Sequence, residues 1–196
     1  MSYINVCEHC GVILAEKAVV CDKCNIPVKS AYMEKLSRPD VVKARKECES
    51  ALDTRDGRLA EKVRDMFSQK EELKNYLDSE EQFVFAIYAN DISHNLLKKG
   101  KKDYAHGHLV ATTKRVIVLD KPIFGKIKTL SLPYPEIPRI EKGHHGATGR
   151  EMVTGVYSHN FMKFTATDGR YLIADKLELG KYLGEFYNFV ASMIRI

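Results

Sequence analysis

The first 24 residues carry the strongest chemical signal in the chain. The segment "CEHCGVILAEKAVVCDKC" occupies residues 7–24 and arranges Cys7, Cys10, Cys21 and Cys24 as two C-x-x-C pairs. Zn²⁺ takes four thiolates tetrahedrally at about 2.3 Å, and two residues between cysteines let the backbone curl so that both sulfurs of a pair face one ion. Gly11 and Asn25 follow the two pairs, and both residue types tolerate the left-handed backbone that such a turn uses. The intervening "VILAEKAVV" sets apolar triplets around a polar centre, the pattern of a short hairpin that returns the second pair to the first. Together these features predict a zinc ribbon with one structural Zn²⁺ held by Cys7, Cys10, Cys21 and Cys24. Four thiolates leave no coordination position for water, so the expected metal is a staple and not a catalyst. His9, inside the first pair, is expected to face solvent. Cys48, the fifth cysteine, falls on a predicted helix and is expected in a core.

Other catalytic chemistry is thinly represented. Six further histidines (His94, His106, His108, His144, His145 and His159) are spread along the C-terminal half. His106 and His108 alternate on a predicted strand and would need a third ligand from elsewhere to hold a metal. "GHHGATG" at 143–149 contains glycines but does not join a strand to a helix, as a dinucleotide-binding turn requires. No nucleophile stands at a recognisable spacing from a base, so a non-catalytic protein is expected.

The basic charge is local. The chain of 196 residues has a formal net charge of +5. Residues 98–130 alone hold nine Lys or Arg against Asp103 and Asp120, an excess larger than that of the whole chain. Four of these cations, Lys98, Lys99, Lys101 and Lys102, share one predicted loop, and Lys114 and Arg115 come one hairpin later. A concentrated excess of this kind suits an anionic partner at one place, and these six residues are the candidate anionic-partner site. Residues 38–78 are balanced, with ten basic and ten acidic side chains.

Periodicity assigns the elements that carry these groups. "RPDVVKARKECESAL" spaces Val41, Ala44, Cys48 and Leu52 along one helix face, with Pro39 suited to the first turn. After the break "DTRDG", a second stripe runs through Leu59, Val63, Met66, Phe67, Leu73 and Leu77. The two are expected to form a helical hairpin that packs on itself and on the next domain. From residue 79 the period becomes that of strands: "EQFVFAIYAN", two in "HGHLVATTKRVIVLD", then "KIKTLSLP", "EIPRIEK", "MVTGVYS", "NFMKFTAT" and "RYLIAD". Leu179, Tyr182, Leu183, Phe186, Phe189, Val190, Met193 and Ile194 form the apolar stripe of a final helix. No apolar run approaches a membrane span of about 18 residues, and "MSYINVCEHC" lacks the features of a secretory signal. The expected location is cytoplasmic, with a peripheral membrane contact as an extension.

"GHLVATTKRVIVLD", the segment "YPEIPRIEK" and "FMKFTATDGRYLIADK" resemble bacterial pleckstrin-homology domains of the YokE-like type. The family's Leu-Thr-x-x-Arg-hydrophobic element is matched by "LVATTKRVIVL", and its Tyr-x-x-Ile element by Tyr134 to Ile137. The resemblance covers roughly residues 79–194, and N-terminal zinc ribbons occur on such proteins. It implies a non-catalytic binding module, with basic residues around the first two strands as the region that lipid-binding members use. Those members carry an Arg in the second strand, where this chain has His108, Leu109 and Val110.

The expected fold class is therefore α+β. A zinc ribbon occupies 1–28, a helical hairpin spacer 29–78, and a PH-like β-barrel or sandwich capped by a C-terminal helix 79–196. The expected function is that of an adaptor joining a protein partner or an anionic membrane surface, with self-association through strand edges also open. The alternative is a nucleic-acid-binding regulator that uses the ribbon and the basic loop. Against it, residues 7–24 hold Lys17 and Lys23 against Glu8, Glu16 and Asp22, and aromatics do not interleave with the basic run.

Overall fold

The computed structural model describes residues 21, 23, 36–52, 58–97, 101–120, 126–145, 159–177 and 183–194. Cys7, Cys10 and Cys24 of the expected ribbon, and the expected strand "MVTGVYS", lie outside the described residues. Cys21 is buried.

Helix α1 spans Pro39–Leu52. Proline fits its first position because that N–H would lack an intrahelical partner anyway. Its buried side chains, Val41, Ala44, Cys48 and Ala51, recur at intervals of three and four and form one face. Helix α2, Arg58–Gln69, buries Ala60 and Val63. The two helices pack mainly on the rest of the molecule: α1 lies against the C-terminal helix and α2 against the first strand, with only slight contact between them. This differs from a self-packed helical hairpin. The last helix buries Phe186, Phe189, Val190 and Met193, whereas α2 buries only Ala60 and Val63, Leu59 is 39% exposed and Leu73 is buried beyond the end of α2.

The remainder of the chain supplies seven strands: β1 Phe83–His94, β2 Asp103–Thr112, β3 Arg115–Asp120, β4 Lys128–Pro133, β5 Arg139–His145, β6 His159–Thr165 and β7 Tyr171–Leu177. They form one sheet in the order β4-β3-β2-β1-β7-β6-β5, with antiparallel pairing throughout. The expected β-barrel or sandwich is thus a single antiparallel sheet whose two edge strands are consecutive in sequence. β1 joins two meanders, β1 to β4 and β5 to β7. It runs along β2 for its whole length, while Ala89–His94 also pairs with β7. A bulge between Ala89 and Ile92 falls where β7 pairing begins, and a bulge bends and twists its strand at such a point. A single 3₁₀ turn, Tyr134–Glu136, separates β4 from β5.

Helix α3, Leu183–Ile194, buries Phe186, Phe189, Val190 and Met193. These residues, the buried faces of α1 and α2, and the inner residues of the sheet form one hydrophobic cluster. The sheet, the final helix and both preceding helices thus share a core. Lys142 of β5 adds a cation–π contact to Tyr187 of α3, with Nζ 4.2 Å from the ring centroid.

Candidate functional site

Of the six cations singled out in the sequence, the four that the structure describes fall at opposite ends of β2. Lys101 and Lys102 precede its first residue, Asp103, whereas Lys114 and Arg115 come after its last, Thr112. At about 3.3 Å per strand residue, the two groups lie roughly 30 Å apart. They have different environments and different chemistry.

At the far end, the turn between β2 and β3 is a polar clamp. The Glu81 carboxylate is 1% exposed. It accepts hydrogen bonds from Arg115 Nε at 2.9 Å and Nη2 at 2.8 Å, and from Thr112 Oγ1 at 2.7 Å. Two parallel N–H···O bonds are the geometry that a planar guanidinium matches to a carboxylate. Arg115 Nη2 also donates to the Tyr76 carbonyl, and the guanidinium lies 4.8 Å from the Tyr76 ring centroid. Burial opposes the charge of Arg115, but Glu81 outweighs it and raises the Arg115 pKa further. Thr112 Oγ1 accepts the backbone N–H groups of Lys114 and Arg115, which explains why a threonine three residues before the arginine closes this turn. Lys114 Nζ donates to both Asp78 oxygens, at 2.8 and 2.9 Å. Burial pushes the Asp78 carboxyl up, but the hydrogen bond and charge of Lys114 prevail and hold it below the usual carboxylate range.

Neighbouring groups extend the clamp in both directions. Thr113 and Gln82 exchange hydrogen bonds, Thr113 N–H to the Gln82 carbonyl and Gln82 N–H to Thr113 Oγ1. Arg45 of α1 donates to Gln82 Oε1. Tyr134 donates its hydroxyl to the Thr112 carbonyl at 2.8 Å, and its N–H bonds to the Lys114 carbonyl. The two sequence elements that carried the family resemblance therefore meet here. They fix the 76–82 segment to the sheet, so Lys114 and Arg115 are engaged inside the protein.

The near end is exposed. β1 ends at His94, and the next residue pins the loop to the turn before β7. Asn95 N–H donates to the Tyr171 carbonyl at 3.2 Å, Tyr171 N–H donates to Asn95 Oδ1 at 2.6 Å, and Asn95 Nδ2 donates to the Gly169 carbonyl at 3.4 Å. Beyond this neck Leu97 is 65% exposed. Lys101 and Lys102 are exposed, and Lys98 and Lys99 lie outside the described residues. Tyr104 on β2 is 64% exposed, with Lys102 Nζ 5.0 Å from its ring centroid. The described residues at this end thus combine the exposed cations Lys101 and Lys102 with exposed Leu97 and Tyr104, and Lys102 lies against the Tyr104 ring. Sequence reasoning picked the lysines and passed over Leu97 and Tyr104, although "NLLKKGKKDY" already set them on either side of the basic run.

His145 of β5 and His159 of β6 are register partners, and His106 and His108 both lie on β2. His106 is exposed and its Nδ1 lies 2.5 Å from the Asn90 carbonyl, while His108 is buried in an edge-to-face contact with Tyr88 at 5.3 Å between centroids. No helix among the described residues is long and apolar enough to cross a membrane.

Comparisons with known proteins bear on the same region. None of the curated proteins matches this chain. Among solved structures, a pleckstrin homology domain from Shewanella amazonensis SB2B, determined at 1.99 Å, is 17% identical with a TM-score of 0.41. That similarity covers 63% of this chain and 94% of that one. Residues 77–164 match the family model described as a bacterial PH domain. The matched segment starts at the Asp78 and Glu81 side of the clamp, includes its Thr-x-x-Arg and Tyr-x-x-Ile elements, and ends within β6; over residues 77–164 the chain carries a bacterial PH-like domain.

Proposed function

We propose that the protein is a non-catalytic adaptor of the YokE-like type, in which the PH-like domain presents the β1–β2 tip to an anionic partner and an N-terminal zinc ribbon engages a protein. A PH-like domain is in general a binding module, which agrees with the absence of a nucleophile and base at a recognisable spacing in the sequence. The observation that carries the reading is the division of positive charge. Lys114 and Arg115 are matched by Asp78 and Glu81, whereas Lys101 and Lys102 stand exposed beside Leu97 and Tyr104. Each lysine near an anionic membrane contributes about 1 kcal/mol. Four on one loop therefore make a modest, salt-sensitive anchor, to which exposed Leu97 adds apolar area. The ribbon, with Zn²⁺ on Cys7, Cys10, Cys21 and Cys24, is the counterpart that meets the protein partner.

The test is co-sedimentation of wild type and of the variant Lys98→Glu, Lys99→Glu, Lys101→Glu, Lys102→Glu with vesicles containing anionic lipid. Wild type should bind, more weakly as salt rises, and the variant should not. Equal binding by both would remove the tip from the account. The same two proteins in a lysate pull-down with nuclease distinguish the occupants. A protein retained after nuclease supports the adaptor, while nucleic acid recovered alone and lost with the variant would replace it with the regulator.

A further inference from the structure

β5 and β6 pair without a register shift from Arg139 and Thr165 at one end to His145 and His159 at the other. Successive strand residues alternate between the two faces of a sheet, so an unbroken register fixes which positions share a face. His145 and His159 stand opposite one another at the last rung, on the face that also carries Gly143 and Phe161. His144 and Asn160 are opposed on the other face.

The two neighbouring rungs show how closely partners approach at this end of the hairpin. On the other face, His144 Nδ1 lies 3.2 Å from Asn160 Oδ1. On the shared face, the Phe161 ring lies so near Gly143 that a Cβ on that glycine would meet it at 2.5 Å. Directly opposed residues of an antiparallel pair have Cβ atoms about 4.5–5.5 Å apart. Two imidazoles rooted at that separation can each bring a nitrogen to about 2.0–2.1 Å from one ion, the length of a Zn–N bond. Without an ion, the same rung is unfavourable whenever both rings are charged, because like charges directly opposite destabilise a strand pair. Neutral imidazole suits Zn²⁺, Cu²⁺ and Ni²⁺, whereas Mg²⁺ and Ca²⁺ prefer oxygen ligands.

We propose that His145 and His159 form a two-histidine site for a divalent transition-metal ion, which clips the end of β5 to β6. The site is separate from the proposed thiolate zinc and stands whether or not the adaptor reading holds. Two imidazoles leave coordination positions open to water or to a donor brought by another molecule, unlike the closed set of four cysteines. Among the described residues, no three His, Cys, Asp or Glu side chains are gathered for a metal. β5 is an edge strand of the sheet, so the rung lies at its border.

The experiment titrates the full, zinc-loaded chain with Ni²⁺ by calorimetry and follows the amide signals by NMR, where paramagnetic Ni²⁺ broadens resonances close to it. Wild type should bind one Ni²⁺, with the His145 and His159 amides broadening first and those of Lys101 and His106 persisting. Two ligands on one scaffold act as an intramolecular chelate, so His145→Asn and His159→Asn should each weaken binding about a hundredfold. The double variant should be little weaker than either single one, and His144→Asn, on the other face, should bind as wild type does. No binding by wild type, broadening centred on His106 or on the N-terminal cysteines, unchanged affinity in His145→Asn or His159→Asn, or an equal loss in His144→Asn would each overturn the site. The broadening pattern needs no variant, so it decides alone should a substitution unfold the hairpin.

Discussion

At the scale of single residues, the partners of a charge decide what it can do. Arg115 and Lys101 are equally basic in the sequence, yet one closes a buried bidentate pair and the other projects from a loop. The Glu81–Arg115 pair predicts a particular mutational pattern. Removing one partner leaves the other buried and uncompensated, which costs about 3–5 kcal/mol. Arg115→Met and Glu81→Met should therefore each lower the denaturation midpoint strongly. The double replacement should lose markedly less than the sum of the two, as urea titration of all four proteins would register. Additive losses would mean that the pair is not the organising contact of the clamp. Lysine at position 115 would not substitute fully, because it cannot make two parallel bonds to one carboxylate.

At the scale of elements, the segment before the sheet is held twice. The clamp ties residues 76–82 to the β2–β3 turn, and α1 covers α3. Cys48 reports on the second attachment. Its Sγ lies 3.6 Å from the Glu185 carbonyl, and burial, assisted by Glu185, Glu47 and Glu49, pushes the thiol up to about 12. The thiolate is the nucleophile in alkylation, so native Cys48 should resist iodoacetamide near neutral pH. It should become reactive only with opening of the α1–α3 contact. Peptide mapping after timed alkylation measures this, and rapid labelling of Cys48 in the native protein would show that α1 does not stay docked.

At the scale of the whole molecule, one hydrophobic cluster runs through both helices, the sheet and the final helix. The proposed ribbon would be stabilised differently. A segment below about 40 residues seldom buries enough surface to fold unaided, and bound zinc supplies the difference. Cys21→Ser or Cys24→Ser should therefore remove one equivalent of zinc and the structure of about the first 30 residues, leaving the main thermal transition nearly in place. Elemental analysis and calorimetry on the same sample test both halves of that statement. Retained zinc would reject the four-cysteine site, and a cooperative loss of the entire fold would reject the separation.

Local pattern determined much of this protein in advance. The three-and-four spacing of Val41, Ala44 and Cys48 gave the buried face of α1, and that of Phe186, Phe189, Val190 and Met193 gave the face of α3. Alternation and turn chemistry marked the seven described strands. Such features are legible because helix and strand periods are written into adjacent residues. Partners distant in sequence are not written there. Nothing near Thr112 indicates that Glu81 and Arg115 will pair across 34 positions, or that α1 will choose α3 over α2. The six cations read as one basic stretch because they are close in sequence. Folding places a ten-residue strand between Lys102 and Lys114, sets Lys114 and Arg115 against carboxylates and leaves Lys101 and Lys102 exposed, with Lys102 over the Tyr104 ring. Sequence supplied the charges and the apolar faces. Tertiary structure decided which charges were neutralised, because that depends on where a carboxylate arrives from elsewhere in the chain and how much water remains around the pair.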